Sequence, residues 1–153
     1  MTGPNVLVVD DNRDMADGIG MLLGELPLTV NVAYSASDAL ARLESSEFAL
    51  VLSDIRMPYM DGVELLSEIK QRWPRTRVVL LTAFGSIDSA VEAMKEGASD
   101  YLTKPFDNAA LIDVVQRNLS AALSADEFDI PAVVAAFAAH LSPDDLFNSL
   151  TNA

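Results

Sequence analysis

Asp10, Asp11, Asp54, Thr82 and Lys104 each stand at the end of a short apolar run: VLVV before Asp10 and Asp11, FALVLS before Asp54, RVVLL before Thr82, DYLT before Lys104. A carboxylate at the mouth of a strand can attack phosphorus and form an acyl phosphate. An ammonium can hold a phosphate oxygen as a point charge, and a threonine hydroxyl can donate to one. In a parallel α/β sheet the carboxyl ends of all strands lie on one rim, where ligands bind at the point at which the winding reverses. Three carboxylates gathered there repel one another: two like charges ~4 Å apart cost ~4 kcal/mol at an effective dielectric of about 20. The cluster therefore requires a cation. Few carboxylates, several waters and a phosphate suit Mg2+, whereas calcium takes more protein oxygens and an EF-hand-like loop is absent from the sequence.

Each of these residues also has a plainer role open to it. Asp54 can be a cap or turn aspartate, Lys104 a solvated surface lysine, and Thr82 a strand-end threonine favoured by β propensity alone. Their shared strand-end position is what favours chemistry. Tyr101 reads on residue type as a core aromatic, or as one that changes rotamer with the site. The segment 56–62, RMPYMDG, is dense in turn signals. Pro58 biases Met57 to an extended backbone, Asp61-Gly62 is a strong turn pair, and such a loop can aim a backbone carbonyl at a metal. His140 is the sole histidine; it can in principle carry a phosphoryl group, but a lone histidine on a helix face is more often inert. Trp73 beside Pro74 reads as surface-packed, and the methionines as core filler.

The elements that must position these residues alternate strand and helix. Strands are predicted at 6–9, 28–33, 48–53, 77–81 and 100–103, and helices at 13–26, 38–44 (capped by Ser37), 63–72, 86–96 and from Asp107 to about 123. Pro74 stops the third helix, and Gly97 is placed for a left-handed cap after the fourth. Five successive βα units predict an α/β fold, a doubly wound five-stranded parallel sheet in the flavodoxin-like order 2-1-3-4-5. That order sets strands one and three side by side, bringing Asp10, Asp11 and Asp54 together. Residues 124–129 read as a linker. Helices are expected from Pro131 to 141 and, capped by Ser142, to about 150; they form a short helical C-terminal extension too small to bury a core alone. The division is thus 1–123 for the main domain and 124–153 for a linker and tail, read as a connector to a missing output domain.

Composition narrows the function classes. With 153 residues, half of them apolar, the chain holds one domain and a short appendage. It has no cysteine, which leaves no disulfide or zinc-thiolate chemistry. No apolar stretch approaches the ~20 residues of a membrane span, and residues 1–5 lack signal-peptide features; a cytoplasmic location is expected. A net charge of −13, with five acids and no Lys or Arg in the last thirty residues, argues against direct nucleic-acid binding.

VLVVDDNRDMADGI, LVLSDIRMPYMDGVELL and VVLLTAFGSIDSAVEAMKEGASDYLTKPFD together resemble the receiver domain of bacterial two-component response regulators, most of all receivers of the nitrogen-regulation, enhancer-binding type. The likeness covers about residues 5–123, with the paired acid, the DxxMPxMDG loop, the strand-end Thr and KPF in order. It implies that Asp54 accepts a phosphoryl group from a histidine kinase or histidine phosphotransfer protein. It implies Mg2+ held by Asp11 and Asp54, by the backbone carbonyl of Arg56, and by Asp10 largely through water. Lys104 would contact the phosphoryl group, with a cis bond to Pro105. Thr82 and Tyr101 would form the switch, Ala83 would keep the phosphate accessible, and Arg56 and Phe84 would occupy positions that tune autodephosphorylation. The switching surface would be the fourth helix, fifth strand and fifth helix, where Lys95, Asp100, Asp113 and Arg117 could pair across a homodimer; the tail is the other possible dimer contact. Such a domain is not an enzyme beyond its own phosphorylation and dephosphorylation. Two other readings stand beside it. A phosphatase of the haloacid dehalogenase type also uses Asp, Mg2+ and Lys, but its nucleophile ends the first strand in a DxD motif that Asp10-Asp11-Asn12 does not match. A phosphorylation-independent interaction module would normally lack one of the acids or the lysine.

Overall fold

The computed structural model describes residues 3–83 and 87–123. Strands β1 (Asn5–Val9), β2 (Thr29–Ala33), β3 (Leu50–Asp54), β4 (Arg77–Thr82) and β5 (Asp100–Thr103) alternate with helices α1 (Arg13–Gly24), α2 (Ala36–Ser45), α3 (Gly62–Arg72), α4 (Ile87–Lys95) and α5 (Asn108–Leu123). All strand pairs are parallel, in the order β2-β1-β3-β4-β5 expected from the sequence. Successive strand residues face opposite sides. Val6, Val8, Leu50, Leu52, Val79 and Leu81 pack with α1 and α5, while Leu7, Val9, Val51, Val78 and Leu80 pack with α2, α3 and α4. Both faces are covered, so β3 is buried at every position. β2 lies at an edge and is only partly buried along most of its length. Continuous apolar runs for central strands follow from this arrangement.

Capping chemistry corrects several boundaries. Ser35, not Ser37, caps α2: its backbone is extended and its hydroxyl accepts the Asp38 amide at 3.0 Å. Ser37 already lies in the first turn. α1 stops at Gly24, with Glu25 as its C-cap, although Leu26 is buried as anticipated. β3 starts at Leu50 rather than 48 because Phe48 turns its carbonyl to the Thr76 hydroxyl, at 2.9 Å. Asp107 caps α5 through the Ala110 amide at 2.7 Å. Gly97 has φ +108°, the left-handed conformation for which it was read.

α3 opens on a reciprocal cap. Asp61 accepts the Glu64 amide at 2.9 Å, while the Glu64 carboxylate accepts the Asp61 amide at 3.3 Å. Asp61→Ala should cost about 1 kcal/mol, seen as a lower urea midpoint at unchanged slope. An unchanged midpoint would show that the helix starts without the cap.

The expected linker, the tail helices and His140 lie outside the described residues. Among the described residues, no helix is long and apolar enough to cross a membrane.

Candidate functional site

Pairing register explains why residues far apart in sequence meet. Val9 lies opposite Ser53, so Asp10, which follows β1, stands beside Asp54 at the end of β3. Asp54 in turn lies opposite Leu81, one residue before Thr82. Thr82 lies opposite Thr103, and the next residue, Lys104, donates its amide to the Thr82 carbonyl at 2.7 Å. The five residues named from the sequence thus share one rim at the β1/β3 switch point.

Carboxylate oxygens of Asp10, Asp11 and Asp54 all lie within 4.8 Å of one another. Asp10 is 1% exposed and Asp54 9%, whereas Asp11 is open to solvent. Lys104 Nζ bridges the two buried acids, donating to Asp10 Oδ2 at 3.1 Å and Asp54 Oδ1 at 3.2 Å. Asn12 serves both sides of its turn. Its amide donates to Asp10 Oδ1 at 3.0 Å, and its side-chain oxygen accepts the Met15 amide at 3.1 Å to start α1.

Burial pushes the Asp54 carboxyl above its ordinary range; Lys104 pulls it down, while Asp10 and Asp11 add to the rise. Burial acts on Lys104 in the opposite sense, lowering it, yet its hydrogen bond to Asp10 and the charges of Asp54 and Asp10 outweigh that and leave it raised. The ammonium is therefore a fixed cation. One ammonium against three acids leaves the rim short of positive charge. Hard acid oxygens, one of them facing water, fit a divalent ion that keeps much of its hydration.

The loop after β3 closes tightly on the site. The Ile55 amide donates to the Leu81 carbonyl at 3.1 Å, and the Gly62 amide returns to the Ile55 carbonyl at 2.7 Å. Arg56 between them is exposed. A β-carbon on Gly62 would sit 2.3 Å from the Asp54 carbonyl oxygen. Gly62 is thus a positioning residue that sequence reading marked only as half of a turn pair. Gly62→Ala should force α3 away from Asp54 and cost about 1–3 kcal/mol, lowering the thermal midpoint; an unshifted midpoint would contradict this close fit.

Other assignments need adjustment. Thr82 is buried, and its hydroxyl donates to the Ala83 carbonyl at 3.1 Å. Tyr101 is not a core aromatic: it sits on the edge strand β5 and is 44% exposed. Met21 and Met94 are exposed rather than core filler. Of the charges named for a dimer contact, Arg117 pairs within the chain, with Asp100 at 2.7 Å and Asp113 at 3.4 Å. The Lys104–Pro105 bond is cis, as the resemblance implied. Phe84 lies outside the described residues. Sequence reading missed one neighbouring cluster, in which the Arg13 guanidinium lies 4.1 Å over the Tyr34 ring and the Tyr34 hydroxyl donates to Asp17 at 2.6 Å.

The family profile for response regulator receiver domains matches residues 6–116. The chain belongs to the response regulator receiver family. Similar proteins include the response regulator protein FleR of Pseudomonas aeruginosa, 42% identical over 132 residues that cover 84% of this chain and 27% of FleR. The DNA-binding transcriptional regulator NtrC of Salmonella typhimurium is 42% identical over 115 residues, covering 75% of this chain and 24% of NtrC. Among solved structures, the receiver domain of NtrX from Brucella abortus aligns with a TM-score of 0.72 at 37% identity, covering 74% of this chain and 97% of that domain. NtrC and NtrX agree with the nitrogen-regulation likeness. The receiver chain spans about a quarter of the length of these curated relatives. It is a receiver domain of two-component systems, and the haloacid dehalogenase reading finds no support in that membership.

Proposed function

We propose that this receiver takes a phosphoryl group from a histidine kinase or histidine phosphotransfer protein onto Asp54, with Mg2+ at the acid cluster. The observation that carries the reading is the Lys104 ammonium held between Asp10 and Asp54, 3.1 and 3.2 Å away, beside a third carboxylate. An Asp54 carboxylate oxygen attacks phosphorus, an O–P bond forms, the donor N–P bond breaks, and its electron pair stays on the imidazole nitrogen. Asp11, Asp54 and the Arg56 carbonyl would hold the ion, with Asp10 acting largely through water; bound there, it would offset charge on the phosphoryl oxygens. Lys104 is already aimed at the Asp54 oxygen and can follow it onto the phosphoryl group. Catalysis is positioning plus electrostatics, and the domain catalyses only its own phosphorylation and dephosphorylation. Small Ala83 leaves the phosphate accessible.

The signal then leaves through α4, β5 and α5. Thr82 is drawn to the phosphate and Tyr101 turns inward behind it. Exposed Val91, Met94 and Tyr101 give this face the apolar surface that a second receiver copy or an output domain would cover. Driving the face from 1:99 to 99:1 takes ~5.5 kcal/mol of differential stabilisation. The excess of acids makes direct nucleic-acid binding by this chain unfavourable, and we assign it to the cytoplasm, where its phosphodonor would be.

Acetyl phosphate labelling, read by intact mass, tests the chemistry. One phosphoryl group per chain should appear with Mg2+, and none in Asp54→Ala. Equal labelling of that variant would overturn the assignment. Beryllofluoride with Mg2+ should move backbone resonances on α4, β5 and α5; shifts confined to the rim would remove the proposed output face.

A further inference from the structure

The charge of −13 is spread unevenly. Residues 70–77, KQRWPRTR, carry four of the ten basic side chains and no acid. They run from the end of α3 into the first residue of β4, and so occupy the rim opposite Asp54. The corner is braced by its own contacts. Lys70 Nζ donates to the Thr76 carbonyl at 2.9 Å, and the Arg72 guanidinium lies 4.3 Å over the Trp73 ring. Burial, and then the charge of Arg77, hold the Lys70 ammonium below its usual range, so the cations here are crowded.

Arg77 ties this corner to the last helix: its Nε donates to Asn118 Oδ1 at 3.5 Å. α5 continues from Asn118 to Leu123, and the chain therefore leaves the domain at this rim, on the Arg77 side of the corner. The next residues, 124–129, read SADEFD, with three acids and no base. Asp126 is three residues past Leu123, a reach of up to about 10 Å.

We propose that Asp126, Glu127 and Asp129 dock within the same chain on the corner formed by Lys70, Arg72, Arg75 and Arg77. Charge complementarity and the exit point of α5 both select this segment as the occupant. Surface ion pairs are individually weak, but a tether this short holds the acids at an effective concentration on the order of mM, so weak pairs suffice. The contact between Arg72 and Glu44 is itself exposed and can be exchanged. Docking would fix the direction in which the following chain departs, at the rim away from the phosphoryl site.

Trp73 is the sole tryptophan and reports on the corner directly. In the full chain, its indole N–H resonance should move as salt is raised from about 0.05 M to about 0.5 M, because surface pairs are screened over that range. The variant Asp126→Asn/Glu127→Gln/Asp129→Asn should sit near the high-salt position from the outset and move far less. A variant resonance that coincides with that of the parent at low salt would overturn the proposal. So would a parent shift that depends on protein concentration, which would place the acids on a second copy.

Discussion

Lys104→Ala is expected to destabilise the domain by roughly 3 kcal/mol when divalent ions are chelated. Its ammonium bridges Asp10, 1% exposed, and Asp54, whose side chain is 12% exposed. Removing one partner of a buried pair leaves charge uncompensated and typically costs about 3–5 kcal/mol; the lysine side chain is itself 20% exposed, which places the effect at the lower end. For a domain of this size that is a fall in Tm of about 10 °C. Magnesium should recover part of the loss, because it supplies positive charge to the same acids. Equal thermal midpoints for the variant and the parent in chelator would mean that the bridge contributes nothing. A deficit indifferent to magnesium would mean that the cation does not reach the acids.

Asp11→Ala should leave the fold intact and slow phosphoryl uptake from acetyl phosphate by on the order of 100-fold or more. Asp11 is exposed and has no described hydrogen bond holding the fold together, and its loss relieves repulsion on Asp54. Metal stabilisation of a transferring phosphoryl group is worth several kcal/mol, and each 1.36 kcal/mol is a factor of ten in rate. Chelating the metal from the parent should slow labelling to a similar extent, and the two losses should not multiply, since both remove the same interaction. Parent-like labelling by Asp11→Ala would take that carboxylate out of the ion's coordination.

Sheet order, strand ends and the convergence of Asp10, Asp11, Asp54, Thr82 and Lys104 were legible because each depends on patterns a linear sequence carries: continuous apolar runs for central strands and one polar residue where each run stops. What was not legible depends on contacts between distant segments. Gly62 looked like a turn residue because nothing local shows that α3 begins against the Asp54 carbonyl. Ser35 and Ser37 are equivalent by type, and only the extended backbone at Ser35 selects the cap. Of the two readings of Tyr101, the core aromatic favoured by residue type fails because β5 is an edge strand and its alternate residues face outward. The pair of Arg117 with Asp100, at 2.7 Å within the chain, was not read from the sequence because it depends on the packing of α5 beside β5. The DG–x–E cap of α3 was missed although it has a local signal, an acid at the cap and Glu64 three residues later, and so was the Asn12 cap of α1.

The most direct measurement is reductive mapping of the phosphorylated chain. The full protein is labelled with acetyl phosphate and magnesium, reduced with borohydride, and digested. An acyl phosphate on aspartate is thereby converted to homoserine. Homoserine at position 54, absent when magnesium is chelated, is the expected result; homoserine at position 10 or 11 instead, or its undiminished formation at position 54 without the metal, would contradict a metal-assisted phosphoacceptor at the end of β3.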